Sequence, residues 1–222
     1  MSDVRYLLEH EAQAKLASYG IEIPRQGLAT SATAAAERAE AIGCPVVLKV
    51  VSPDVPHKTE AGGVRLGVRS PEAAAEAYAE ILASVRAHQP TARIEGVLVA
   101  EQVEVEQELF CGVVRDPQFG PVVAFGLGGI FVEVLQDVAF GVTPLELVDA
   151  LEMIRSIRGH AVIAGARGRR PVDQDKLAGV LLAAARLAVE HEDLEELDIN
   201  PLAATSDGRL VALDCLIRLR SS

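Results

Sequence analysis

The sequence predicts an α+β fold made of two lobes, and three features of the chain carry that expectation. Helix-like and strand-like segments mix up to about residue 95, the chain then runs as short apolar strands from Gly96, and helices return only near residue 145. Half of the 222 residues are apolar and 24% are charged, the balance of a chain that buries a core. A chain of this length can bury roughly 70% of its unfolded surface, enough for one large domain or two smaller lobes.

The elements follow from local chemistry. Residues 7–19 read as a helix, with Leu7, Leu8, Ala12 and Leu16 near helical spacing and Gly20 as its stop. Residues 21–24 form a short extended link. Ser31 or Thr33 can cap a second helix over residues 34–42, which ends at Gly43. Val46 to Val51 is a strand bounded by Pro45 and the Ser52-Pro53 pair, and residues 64–68 form its neighbour. Ser70, Pro71 and Glu72 supply the cap, first-turn proline and early acid of a third helix that runs to about His88. Residues 96–103, 108–115, 121–125 and 130–135 read as antiparallel strands, with a turn at Asp116-Pro117-Gln118-Phe119-Gly120. Helices are expected over residues 145–157 and 174–190, and two last strands over 197–199 and 210–218, joined by a turn containing Asp207-Gly208. No repeat or low-complexity linker divides the chain. The first lobe is expected over about residues 20–95 and the second over about 96–222, with an N-terminal helix over about 4–19.

Composition excludes several function classes. With 21 Lys and Arg against 32 Asp and Glu, the net charge of −11 opposes binding along nucleic acid or on an anionic membrane. Aromatics at 4% and no Trp leave little for base stacking. The opening MSDVRYLLEHEAQ carries charge throughout, unlike a signal peptide, and the uncharged stretch over residues 117–132 is broken by Pro and by four Gly, unlike a membrane span. Cys44, Cys111 and Cys215 are scattered and odd in number, which fits buried thiols in a reducing cytoplasm better than a disulfide framework or a zinc site.

Chemistry concentrates in a few places. Lys49 interrupts an apolar strand on the face of Val47 and Val51, where an ammonium needs an anion or an exit to water. It reads equally as a phosphate contact or as a snorkelling lysine at a sheet edge. Downstream, prolines at 53 and 56 keep the segment out of a helix, and His57 stands between Pro56 and Lys58, poor surroundings for a core histidine. An imidazole on such a loop can act as nucleophile or proton carrier, though most exposed histidines do neither. Gly62-Gly63 permits backbone that aims successive N–H groups at an anion, although glycine pairs are more often plain turns. Gly126, Gly128 and Gly129 imitate a dinucleotide fingerprint, but Phe131 occupies the third glycine position and no helix should follow. GxxxxGK[ST], GxSxG and HExxH are all absent. Near the C-terminus, Asn200 in LDINP and Asp214 within the apolar run LVALDCLI could offer two hard oxygens to Mg²⁺, or Asp214 could pair with an arginine or a backbone N–H. Glu101 and Glu108 are further strand-borne candidates. Arg167 lies in a basic knot, GARGRRP, that could grip a phosphate or an acidic partner or simply be a solvated loop.

Taken together, SPDVPHKTEAGGV (residues 52–64), RDPQFGPVVAFGLGGIFVEVLQDVAF (115–140), GARG (165–168), ELDINPL (196–202) and LDC (213–215) resemble the ATP-grasp domain of the nucleoside-diphosphate-forming acyl-CoA synthetases, the group that includes ADP-forming acetyl-CoA synthetase. The resemblance covers nearly the whole chain and implies one ATP-grasp domain over residues 1–222, with an ATP-grasp fold whose two α/β lobes clasp a nucleotide. It implies the reversible conversion of acyl-CoA, ADP and phosphate to carboxylate, CoA and ATP through an acyl phosphate and phosphohistidine. In that scheme His57 is a catalytic relay histidine on a loop that swings toward the nucleotide. Lys49, Gly62 and Gly63 face phosphates, Glu101, Gln102 and Val103 form the adenine hinge, and Glu108 lies near ribose or phosphates. Asn200 and Asp214 bind Mg²⁺, and Lys58 and Arg167 contact phosphate or partner. The implied cofactors are ATP or ADP with Mg²⁺. The implied partner is a CoA-binding α subunit in a heterotetramer, through which acyl-CoA and carboxylate enter, in the cytoplasm. Two positions depart from the pattern: Gln107 stands where Gly is usual, and Gly141 where a basic residue is common. A non-catalytic ATP/ADP-sensing module and a stand-alone carboxylate–amine ligase are the alternative readings.

Overall fold

In the computed structural model the structure describes residues 4–55, 57–129, 137–168 (backbone only at 167) and 170–220. The chain opens with strand β1 (Val4–Tyr6) and helix α1 (Glu9–Ser18) and then enters the smaller of two units, Pro24–Val103. That unit contains β2 (Gln26–Ala29), α2 (Ala32–Ile42), β3 (Val46–Val51), β4 (Val64–Val68), α3 (Pro71–His88) and β5 (Gly96–Glu101). The β-branched run of β3 takes an inner position in an antiparallel sheet of order β2-β5-β3-β4. Its alternation sends Val46, Leu48 and Val50 into a core with Ala39, Ile81 and Val85 of the two helices. Both helices start where a serine oxygen can take an orphan amide. Ser31 Oγ accepts from Ala34 N and Ser70 Oγ from Ala73 N, each at 3.1 Å, contacts of about 1 kcal/mol apiece.

The larger unit combines residues 1–23 with Glu104–Ser222. It holds β6 (Gln107–Asp116), β7 (Gly120–Leu127), β8 (Val138–Val142), α4 (Leu147–Ser156), the short α5 (His160–Ile163), α6 (Gln174–Glu190), β9 (Leu194–Ala204), β10 (Leu210–Ala212) and β11 (Cys215–Arg220). The described strands order as β1-β11-β9-β6-β7-β8, with β10 beside β9, and every described pair is antiparallel. One face is packed with Leu109, Cys111 and Val113 of β6 against Leu181, Ala184 and Leu187 of α6. Each such leucine contributes roughly 1.5–3 kcal/mol by leaving water. Arg115, at the end of β6, donates to the carbonyls of Ala188, His191 and Leu194 at 2.7, 2.9 and 2.9 Å and so fastens the C-terminal end of α6 to the sheet.

The division differs from the one expected. The two units part between Val103 and Glu104, not near residue 95, because β5 pairs on both sides within the small sheet, with β2 and with β3. The helix expected over about residues 4–19 is shorter, Glu9–Ser18, because Val4–Tyr6 pairs as a strand with β11, and its Ala12 and Leu16 lie in the core of the larger unit. The strand expected over residues 130–135 lies outside the described residues.

Candidate functional site

In the smaller unit, Lys49 sits on an inner strand, opposite Leu98 of β5 and Val64 of β4. The edge position that a snorkelling lysine requires is therefore absent, and the half-buried ammonium projects from the face opposite the helix-packed Val46, Leu48 and Val50. β3 then feeds the loop that carries His57. Ser52 is buried and its Oγ accepts from Asp54 N at 3.1 Å. Arg93 clamps the Asp54 carboxylate through its own amide (2.8 Å), Nε (3.1 Å) and Nη2 (2.9 Å), a fork that draws the Asp54 pKa down to about 2. Val55 and Ala61, on either side of His57, are both buried in the small core. His57 itself is exposed and Lys58 half-buried.

Gly62 and Gly63 do something other than present amides to an anion. Gly62 N donates to Thr59 O at 3.1 Å and Gly63 N to Lys58 O at 2.7 Å, while Gly63 O accepts from Val50 N at 2.7 Å. A Cβ on Gly63 would lie 2.5 Å from Val50 Cγ1, so the glycine allows the loop to close directly against β3. Gly62 has φ +66°, a left-handed turn conformation. The pair fastens the second end of the His57 loop, as Asp54 and Arg93 fasten the first. This tether of aspartate and arginine, 39 residues apart, left no local signal in the sequence.

Glu101, Gln102 and Val103 end the smaller unit. Glu101 Oε2 accepts from Arg25 Nε at 3.1 Å, its N–H donates to Arg25 O at 2.8 Å, and the Gln102 amide donates to Pro45 O at 3.2 Å. Gln102 Oε1 accepts from Gly67 N. Both side chains are thus turned to their own sheet.

The larger unit brings Asn200 and Asp214 together. Leu109 pairs with Leu202 and Cys111 with Ile199, so three steps along β9 face two along β6, and a bulge falls at Asn200-Pro201. The extra residue returns Leu202 to the core beside Ile199 and leaves Asn200 exposed. Opposite it the last strand breaks: β10 ends at Ala212 and β11 begins at Cys215. Asp214 therefore lies in that break and not inside one continuous strand. Asn200 N donates to Asp214 O at 3.2 Å and Leu213 N to Pro201 O at 3.1 Å, which locks the two segments face to face. Asp198, two residues before Asn200, belongs to the same acidic surface. Burial first, then the negative charges of Glu196 and Asp214, hold its pKa above the ordinary carboxylate value. The alternation of LDIN could have placed it there. Among the described residues no three His, Cys, Asp or Glu side chains gather into a self-sufficient metal site. An amide and a carboxylate oxygen beside further negative charge nonetheless fit Mg²⁺, which is commonly held by one or two carboxylates, phosphates and water.

Glu108 shares the sheet face of Phe110, opposite the core residues Leu109 and Cys111. Gly129 explains its placement, since a Cβ there would stand 2.6 Å from Glu108 Oε2, and Gly128 N donates to Glu108 O at 2.8 Å. The two glycines serve this close approach. Gln107 is buried at the start of β6, and no partner for its Nε2 occurs among the described residues. Gly141 faces α4, where a Cβ would meet Met153 Sδ at 2.5 Å and Leu145 Cδ2 at 2.8 Å, so a basic side chain could enter only by displacing both. The Arg167 side chain lies outside the described residues. From the same basic knot, Arg170 Nη1 donates to Ser206 O at 2.7 Å.

The smaller unit thus carries a sheet lysine and a tethered histidine loop, and the larger an Asn–Asp pair on a bulged sheet. A family model described as an ATP-grasp domain matches residues 2–219, and the chain belongs to the ATP-grasp family. Within it, the chain is 43% identical over 206 residues to the β subunit of ADP-forming acetate–CoA ligase I of Pyrococcus furiosus, covering 93% of this chain and 89% of that one. Among solved structures, the dinucleotide-forming acetyl-coenzyme A synthetase 1 of Ca. Korarchaeum cryptofilum, in complex with coenzyme A, Ca-AMPCP and HgCl⁺, superposes with a TM-score of 0.94 at 44% identity, over 97% of this chain and 94% of that one. The same synthetase with coenzyme A and Mg-AMPPCP, whose phosphohistidine segment points towards the nucleotide binding site, gives a TM-score of 0.86 at 41% identity, over 97% and 93% of the two chains.

Proposed function

We propose that this chain is the nucleotide-binding subunit of an ADP-forming acyl-CoA synthetase and that His57 carries the phosphoryl group. The observation that carries this reading is the His57 loop: an exposed imidazole between two fixed ends, Asp54 on Arg93 and Gly63 on Lys58 and Val50. Fixed ends limit where the imidazole can travel, and an exposed middle lets it meet more than one reactant. A sensor of ATP or ADP has no use for such a loop.

In the transfer, an imidazole nitrogen of His57 forms a bond to the γ-phosphorus of ATP while the bond from that phosphorus to the β-phosphate bridging oxygen breaks, and ADP departs with those electrons. The reverse step remakes ATP from ADP. Lys49 supplies positive charge toward the phosphates from a sheet that holds its stem rigid. Mg²⁺, when held by Asn200 and Asp214, would offset the negative charge of the phosphates. Glu108, kept against Gly129, would face ribose or phosphate, and the backbone of residues 101–103 would border the adenine. Lys58 would neutralise the carried phosphoryl group, with Arg167 as a phosphate or partner contact. The acyl chemistry requires a partner that binds CoA, expected as an α subunit in a heterotetramer.

The test is reconstitution. The chain alone should make no ATP from acetyl-CoA, ADP and phosphate, and adding a CoA-binding α subunit should restore turnover. An isolated chain that turns over, or ligates a carboxylate to an amine, would overturn the reading.

A further inference from the structure

Helix α1 turns two polar side chains inward. Its buried residues are Glu9, Ala12, Gln13 and Leu16, and Gln13 is 1% exposed beside the apolar core of the larger unit, to which Ala12 and Leu16 belong. Gln13 Nε2 reaches Leu213 O at 3.3 Å and Ala212 O at 3.5 Å, a forked contact across 200 and 199 residues of chain. Because both neighbours are carbonyls, the amide must present its NH₂ to them. Its Oε1 then remains buried with no partner among the described residues. An apolar residue of the same size would avoid that cost, so packing does not account for a glutamine here.

The two carbonyls belong to the break between β10 and β11. The Leu213 carbonyl lies in one rigid peptide plane with the Asp214 nitrogen, so holding that oxygen sets the direction from which the Asp214 side chain starts. Further contacts of this segment include Ala212 N to Glu22 O at 2.8 Å, Leu213 N to Pro201 O at 3.1 Å and Asn200 N to Asp214 O at 3.2 Å. These hold its amides and its far end. Gln13 Nε2 reaches the carbonyls of Ala212 and Leu213.

We infer that Gln13 is a positioning residue: its side-chain amide fixes the Leu213–Asp214 peptide so that Asp214 and Asn200 present their oxygens together to a divalent cation. The inference rests on the reading of Asn200 and Asp214 as the Mg²⁺ pair. It gives α1 a part in nucleotide binding although the helix contributes no ligand.

The test uses the full chain with Mn²⁺ as a spectroscopic substitute for Mg²⁺. Binding of Mn²⁺ in the presence of ADP is followed by electron paramagnetic resonance, metal-free ADP binding by calorimetry, and folding by the unfolding midpoint. Gln13→Met keeps the volume and removes both N–H groups. It should weaken Mn²⁺ binding by about tenfold or more, the range seen for groups that orient metal ligands, while metal-free ADP binding changes less than about twofold and the midpoint holds. Gln13→Asn, which withdraws the amide by one carbon, should move Mn²⁺ affinity in the same direction and serves if the methionine variant does not fold. Asp214→Ala is measured in parallel. If Asp214→Ala weakens Mn²⁺ binding and both Gln13 variants keep the wild-type affinity, the positioning role is wrong. If Asp214→Ala itself leaves Mn²⁺ binding unchanged, the metal assignment fails and the inference falls with it.

Discussion

Replacing Gly63 by alanine tests how the His57 loop is closed. The new methyl would lie 2.5 Å from Val50 Cγ1 and 3.0 Å from the Lys58 carbonyl oxygen. Neither neighbour yields cheaply: Val50 is fully buried on an inner strand, and the carbonyl is backbone that already accepts from Gly63 N at 2.7 Å. Forcing a methyl into a filled site costs about 1–3 kcal/mol, which for a chain of this length is a fall in Tm of about 2–12 °C. Urea unfolding followed by circular dichroism should show the loss, and hydrogen exchange should rise at the amides of Ala61, Gly62 and Gly63. Below the transition, ADP affinity should stay within about threefold, because these amides face loop carbonyls. A Gly63→Ala protein with the wild-type midpoint and a tenfold loss of ADP affinity would show instead that the glycine amides face the phosphates.

Native protein should lose one thiol per chain to Ellman's reagent, at exposed Cys44, since Cys215 is buried and burial pushes the Cys111 thiol up to about 12; rapid reaction of all three would contradict the buried core. Asp54 is held at about 2 when folded, against about 3.9 in an unfolded chain, so its bond to Arg93 stabilises the fold above pH ~4 and is lost as pH falls toward 2. The difference in unfolding midpoint between wild type and Asp54→Asn should therefore be full at pH 7 and close at the acid end, and a difference that persists to pH 2 would count against the tether. Gly141→Lys should destabilise by more than about 1 kcal/mol, because the position faces Met153, and should leave nucleotide affinity unimproved; tighter ATP binding by that variant would contradict the packing.

Local chemistry made the small unit readable. Serine caps, a proline in the first helical turn and a β-branched run placed α2, α3 and β3 within two residues of their observed ends, with Val46–Val51 and Val64–Val68 coinciding, as Gln174–Glu190 does in the larger unit. Long-range pairing was not readable. β1 is three exposed residues that become a strand only by pairing with β11, and β5 joins the small sheet although its texture matches the strands that follow. At the site, the residue types of Asn200 and Asp214 were legible, but the bulge and the broken strand that set them opposite each other depend on partners in β6 and β9. Lys49 was placed on the correct face by alternation, while its inner position needed both flanking strands. Gly62 and Gly63 were legible as special backbone. What they pack against, Val50 on one side and the loop's own carbonyls on the other, was not.

The proposed function stands or falls on His57 receiving a phosphoryl group. Incubating the chain with γ-labelled ATP and Mg²⁺, with and without a CoA-binding α subunit, tests it most directly. The expected result is an acid-labile, base-stable label on His57 that ADP discharges as ATP, and a His57→Ala protein that never labels yet binds ADP within a few-fold of wild type. Labelling that survives His57→Ala would contradict it, and so would a wild-type chain that binds ATP tightly and stays unlabelled with its partner present.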